Sequence, residues 1–188
     1  MFKKALCLMI LLMSCGCDSG NTVRSIKDLG EPLAESYFEL RFPQNWKITS
    51  QIDTSLVDHP TTTFFFRHPG NRKCYISVEI VRFHEDDNTG MIDLTKIASS
   101  KIRNLRNSFA QEKYIDFSFK TFNTTLAGQD AIRVFVQASR SNVNREATSY
   151  VVGFRNQGYI ISYQWFDNWS NDAKKIVKEA IGSFRLLK

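Results

Sequence analysis

The sequence predicts an α+β sandwich built on a largely antiparallel sheet, and three observations lead there. About seven segments are rich in β-branched and aromatic residues, most with apolar positions repeating at period two, as strands require. Two others repeat apolar residues every three or four positions, as amphipathic helices do. Most connections between the strand-like segments are short and built from Gly, Asn, Asp and Pro, which favours antiparallel neighbours. With 43% hydrophobic and 13% aromatic residues in 188, the chain can fill one core of ordinary size.

The first strand is expected at Tyr37 to Phe42, where Phe38, Leu40 and Phe42 alternate with charged residues before Pro43. Trp46-Lys47-Ile48 continues after a short turn. Thr61 to Phe66 and Cys74 to Phe83, separated by His68-Pro69-Gly70-Asn71, suggest a hairpin. The period then changes. Leu94, Ile97, Ala98, Ile102, Leu105 and Phe109 mark one face of a helix of about 15 residues, with Asp93 placed to cap it. Strand patterning returns at Tyr114 to Phe122, at Ala131 to Ala138, at Thr148 to Phe154 and at Tyr159 to Phe166. In the turn Arg155-Asn156-Gln157-Gly158, the glycine is expected to supply the positive φ. A second helix, Asn171 to Ile181, should end at Gly182, with Phe184, Leu186 and Leu187 packing the tail onto the sheet.

The N-terminus has a different character. Residues 1–14 carry Lys3 and Lys4 and then an apolar run, Ala5 to Met13, far short of the roughly 20 residues a membrane span needs. Leu12-Met13-Ser14-Cys15 resembles a bacterial lipobox, so residues 1–14 are expected to be a lipoprotein signal peptide and Cys15 the lipid acceptor, with Cys17 as the alternative. Asp18 follows Cys17 whereas Gly16 follows Cys15, which leaves inner versus outer membrane open. Residues 15–35 are expected to form a flexible tether and residues 36–188 the globular domain. Cys74 is expected to be a small buried apolar residue, a bridge to Cys17 being the other reading. The formal charge is +6, and loss of Lys3 and Lys4 leaves 23 basic against 19 acidic residues, well spread. Neither that mild excess nor any motif points to nucleic acid.

Several phrases, taken in order, resemble the PsbP-like family, named for an extrinsic subunit of photosystem II and sharing its fold with a Ran-binding nuclear import factor. Phe42-Pro43-Gln44-Asn45-Trp46 resembles its opening motif, and Leu126-Ala127-Gly128-Gln129-Asp130-Ala131 its central hairpin. Gly158-Tyr159-Ile160-Ile161-Ser162-Tyr163, followed by Ser183-Phe184, resembles its closing strand, helix and tail. The resemblance spans Tyr37 to Lys188 and implies an α/β/α sandwich, with helices on both sides of a central antiparallel sheet. It implies an accessory or binding subunit rather than a particular chemistry.

Candidate sites are few. His84-Glu85-Asp86-Asp87-Asn88 offers an imidazole and three carboxylates to a cation, but as a calcium loop it has Gly90 and Ile97 where oxygen ligands should stand. A solvated acidic turn before the helix is the simpler reading. His59 and His68 lack the paired spacing of zinc sites and are expected to be exposed turn residues. No nucleophile elbow or phosphate loop occurs. Asn123-Thr124-Thr125 and Asn168-Trp169-Ser170 match the glycosylation sequon by chance in a bacterial chain. Trp165, Phe166 and Trp169 cluster where the last long strand meets the second helix, a candidate binding loop. The expected function is a non-enzymatic, lipid-anchored binding or accessory module of the cell envelope, periplasmic or at the surface, for a protein partner. It needs no cofactor. A small-ligand or metal-binding lipoprotein is the alternative.

Overall fold

The computed structural model describes residues 29–35, 37–56, 59–83, 92–166 and 171–187. The chain opens with strands β1 (Leu29–Glu35), β2 (Phe38–Pro43), β3 (Lys47–Leu56), β4 (His59–His68) and β5 (Asn71–Arg82). Helix α1 (Leu94–Gln111) follows, then β6 (Asp116–Leu126), β7 (Gln129–Arg140), β8 (Val143–Phe154) and β9 (Gln157–Phe166). Helix α2 (Asn171–Gly182) and β10 (Arg185–Leu186) close it.

A seven-stranded sheet runs in the order β3-β4-β5-β9-β8-β7-β6, every neighbouring pair antiparallel. It consists of two meanders, β3 to β5 and β6 to β9, joined side by side through β5 and β9, with α1 as the connection between them. Because α1 leads to the far edge, β6 is left as an outermost strand.

Both faces of this sheet are covered. Ile97, Ala98, Leu105 and Phe109 of α1 pack with Val134, Val136, Val151 and Ile160 on one face. On the other, Ile176, Val177, Ala180 and Ile181 of α2 pack with Val78, Ile80, Tyr159 and Ile161. A second sheet, ordered β1-β2-β10, flanks α2, and its Phe38 stands edge-on to Tyr159 at 5.7 Å and stacks on Phe184 at 5.8 Å. The result is the expected α/β/α sandwich, enlarged by a small sheet in the α2 layer.

Local chemistry accounts for the elements. The Asp93 carboxylate accepts from the Lys96 amide at 2.9 Å, capping α1 as expected. The β6–β7 turn puts Ala127 (φ 53°) and Gly128 (φ 77°) in the left-handed region that a tight hairpin demands.

Three expectations need correcting. The tether was placed through residue 35, but Leu29–Glu35 pair with β2, so the fold begins at least as early as Leu29. The positive φ of the β8–β9 turn belongs to Arg155 (47°) and Asn156 (54°), not Gly158. Gly158 is instead a packing position, where a Cβ would stand 3.0 Å from Ile97 Cδ1. In the tail Phe184 is buried, whereas Leu187 is 38% exposed, because β10 ends at Leu186.

Candidate functional site

Among the described residues, strand β6 is left largely uncovered by the helices. Helix α1 lies over β7 and β8, so its flank and the outermost strand enclose an open groove floored by Ile132. Thr95, Ala98, Ser99 and Ile102, spaced one helical turn apart, form one wall, and Phe119, Thr121 and Asn123 form the other. This hollow is about 580 Å³ and adjoins a second of about 630 Å³ that extends past Asn123 and Thr124 to Asp130 at the hairpin end.

β6 pairs with β7 without a register break from Asp116↔Ser139 to Leu126↔Gln129, and it contains no proline. Phe119 is 53% exposed and Phe122 41%, and they lie on opposite faces because they are three residues apart. Ile115, just before the strand, is 79% exposed. Each aromatic face has a cation beside it. The Arg106 guanidinium lies 5.9 Å from the Phe117 ring, on the α1 face, and that of Arg133 lies 4.6 Å from the Phe122 ring, on the other. Helix α1 has four basic residues and no acidic one, and Lys96, Arg103 and Arg106 are exposed.

Beside the apolar contacts of α1, a set of buried and half-buried polar groups lies between the helix and the middle strands. The Lys101 ammonium pairs with the Glu79 carboxylate, Arg145 pairs with Glu112 at 2.7 Å, and the Ser149 and Ser162 hydroxyls bond each other at 2.8 Å. The Gln164 amide donates to the Tyr75 phenol. Burial raises the Tyr75 phenol above its ordinary value, against the opposing pull of Lys101 and Arg145. The two ion pairs join α1 and its C-terminal end to β5 and β8 and fix how the helix is seated, while the other two bonds link β9 to its neighbours. The two serines hydrogen-bond each other, so neither is set against a base as a nucleophile would be.

Among the residues singled out from sequence, Trp165 is a core residue, 4% exposed. Its ring stacks on Tyr163 at 4.5 Å and its indole N–H donates to Glu146 at 2.6 Å. It therefore leaves the candidate binding loop, for strand β9 is covered on the face where Trp165 lies. The side chain of Phe166, all of Trp169, Cys15, Cys17, and the candidate metal ligands His84, Glu85, Asp86 and Asp87 lie outside the described residues. Among the described residues no group of three or more metal-ligating side chains occurs, and no helix is long and apolar enough to cross a membrane. Cys74 is buried in β5, as expected. His59 and His68 are not exposed turn residues: they end β4, are half-buried, and pack against Phe83 and Trp46 respectively. Burial lowers the His68 imidazole below its ordinary value.

Sequence reasoning passed over β6, although a signal was present. Its phenylalanines change parity between Phe119 and Phe122 and are surrounded by Ser, Lys, Thr and Asn, so neither face is continuously apolar. That is the pattern of an edge.

Comparison with solved structures bears on the fold. The chain superposes on the solution structure of cyanobacterial PsbP (CyanoP) from Synechocystis sp. PCC 6803 with a TM-score of 0.57 at 17% identity, covering 93% of this chain and 98% of that one. The fold is PsbP-like. A weaker likeness, TM-score 0.41 at 15% identity, covers 84% of this chain and 90% of LpqN, a protein involved in cell envelope biogenesis of Mycobacterium tuberculosis. No family model matches the sequence, and no curated protein does. The PsbP-like fold places the α1–β6 groove on a known scaffold without assigning it a ligand.

Proposed function

We propose that this chain is a lipid-anchored, non-enzymatic accessory module that holds a protein partner at a membrane of the bacterial cell envelope. The observation that carries the reading is the β6 margin, where solvent-exposed aromatics line a long strand edge that the fold leaves open. Proteins ordinarily blunt such an edge with proline, bulges or repeated charge, and an edge left open beside aromatic anchors is what a binding surface needs. The anchor is Cys15, from the lipobox-like Leu12-Met13-Ser14-Cys15. A tether from Cys15 holds the domain close to its membrane.

The test is mass spectrometry of the mature N-terminus together with capture from detergent-solubilised membranes by wild type and by Cys15→Ala. A diacylglycerol-bearing Cys15, and one membrane complex recovered repeatedly by the wild type and lost on substitution, are expected. An N-terminus without lipid removes the anchor, and the absence of any recovered complex removes the accessory role.

A further inference from the structure

We infer that β6 takes up an extended, acidic polypeptide segment as an added strand, with the α1–β6 groove receiving its side chains; the inference rests on the accessory-module reading and names the chemistry of its partner. Three independent observations support it. First, β6 is an eleven-residue edge in unbroken register with β7, so its outward N–H and C=O groups form a regular ladder. Another extended backbone matches donors and acceptors alternating at that spacing. The opposite edge differs: β3 shifts register between Ile48 and Ser50, a device that discourages pairing.

Second, an added strand points alternate side chains to opposite faces, and β6 has an aromatic anchor on each. Phe117 and Phe119 stand on the α1 face, where the groove opens, and Phe122 stands on the other. Third, among the described residues basic side chains outnumber acidic ones around the edge. Exposed Lys96, Arg103 and Arg106 belong to the helix that walls the groove, and Lys120 and Arg133 lie on the opposite face. Among the described residues the nearby carboxylates are fewer: Glu112 is paired with Arg145, Asp116 accepts from Ser139 at 2.7 Å, and Asp93 caps α1. Asp130, at the hairpin end, marks the end of the edge where acidic residues fit least. A second copy of the chain is disfavoured by the same basic excess, since edge-to-edge pairing sets two such margins together. Nucleic acid and anionic lipid share the charge but have no backbone amides to complete the ladder.

The test uses the full-length chain in detergent micelles and labelled peptides of about ten residues alternating Val with Glu or Asp. A Val–Lys peptide and a proline-interrupted acidic one serve as controls. Fluorescence anisotropy should show saturable binding of the acidic peptide, weakened about tenfold or more by Phe119→Asp, by Arg103→Glu and by high salt. Hydrogen exchange should show the β6 amides gaining protection. Both substituted residues are exposed, and far-UV circular dichroism verifies that the variants fold; the peptide charge swap tests the wild type without any substitution. Equal binding of all peptides, binding with no new β6 protection, preferential binding of an oligonucleotide or anionic vesicles, or dimerisation through β6 would each overturn the inference. If Phe119→Asp still recovers the membrane complex captured by wild type, the site lies elsewhere while the accessory role stands. If wild type recovers none, it is the accessory reading that fails.

Discussion

Strands β9 and β6 belong to one sheet, have 10 and 11 residues, and each carries three ring-bearing side chains or more, yet β9 is almost wholly buried and β6 almost wholly exposed. Position in the sheet decides which rings are covered. β9 lies between β5 and β8 with α1 over one face and α2 over the other, so its aromatics become core. β6 is outermost; α1 packs against it at Phe117, leaving most of its other side chains exposed. Aromatic content alone therefore does not distinguish core from surface in this fold, whereas position in the sheet does.

The sharpest way to break the comparison is to truncate one aromatic in the buried strand. Trp165→Ala removes a ring stacked on Tyr163 and leaves Glu146 without its indole donor, and the cost expected is about 3–5 kcal/mol of stability. Urea unfolding should show the midpoint falling with little change in slope. A loss below about 1 kcal/mol would mean that Trp165 is not packed as the core residue described.

Gly158→Ala probes the same strand by adding an atom instead. The new Cβ meets Ile97 Cδ1 at 3.0 Å and Phe83 Cε2 at 3.4 Å, so α1 must shift or Ile97 leave its rotamer. The expected cost is about 1–3 kcal/mol. Thermal melting read beside Gly128→Ala separates the causes, because Gly128 has open space around it and only its positive φ of 77° to lose.

A third distinction is pH. Burial pushes the phenols of Tyr159 and Tyr163, both on the α2 face of β9, up to about 12. These groups favour their neutral form in the folded state, so their contribution is fully present below pH 10 and is lost as pH rises toward 12. Each such proton changes stability by at most ~1.4 kcal/mol per pH unit in that window. Denaturant midpoints measured from pH 9 to 11 should fall, and Tyr163→Phe should make the fall shallower. An unchanged slope would show that the phenol ionises as readily folded as unfolded.

The contrast between the two strands also marks what was legible in the sequence. The run Tyr159 to Phe166 reads as a strand, and the spacing Leu94 to Phe109 with Asp93 ahead of it reads as a capped helix; both are local patterns and both hold. Strand order is not local. Nothing near Phe117 or Phe119 says that α1 delivers the chain to the far edge, and nothing near Phe38 says that β2 leaves the main sheet for a smaller one. The cluster Trp165, Phe166 and Trp169 stands out for its density, but the burial of Trp165 depends on what covers its face of β9. Likewise Gly158 looked like the turn residue because Arg155 and Asn156 can adopt positive φ only at some cost, which the hairpin imposes.

The smallest expected effect completes the comparison. Phe119→Ser and Phe122→Ser remove rings that are already 53% and 41% exposed, so folding stability should change by no more than about 0.5 kcal/mol each, against several for Trp165. Solubility should rise, since the substitutions interrupt an exposed apolar edge of the kind that templates aggregation. Light scattering on concentrated protein measures this directly. Unchanged stability with reduced self-association marks β6 as a margin kept apolar for something other than folding. A loss comparable to Trp165→Ala would instead make the β6 aromatics part of the core and close the groove as a site.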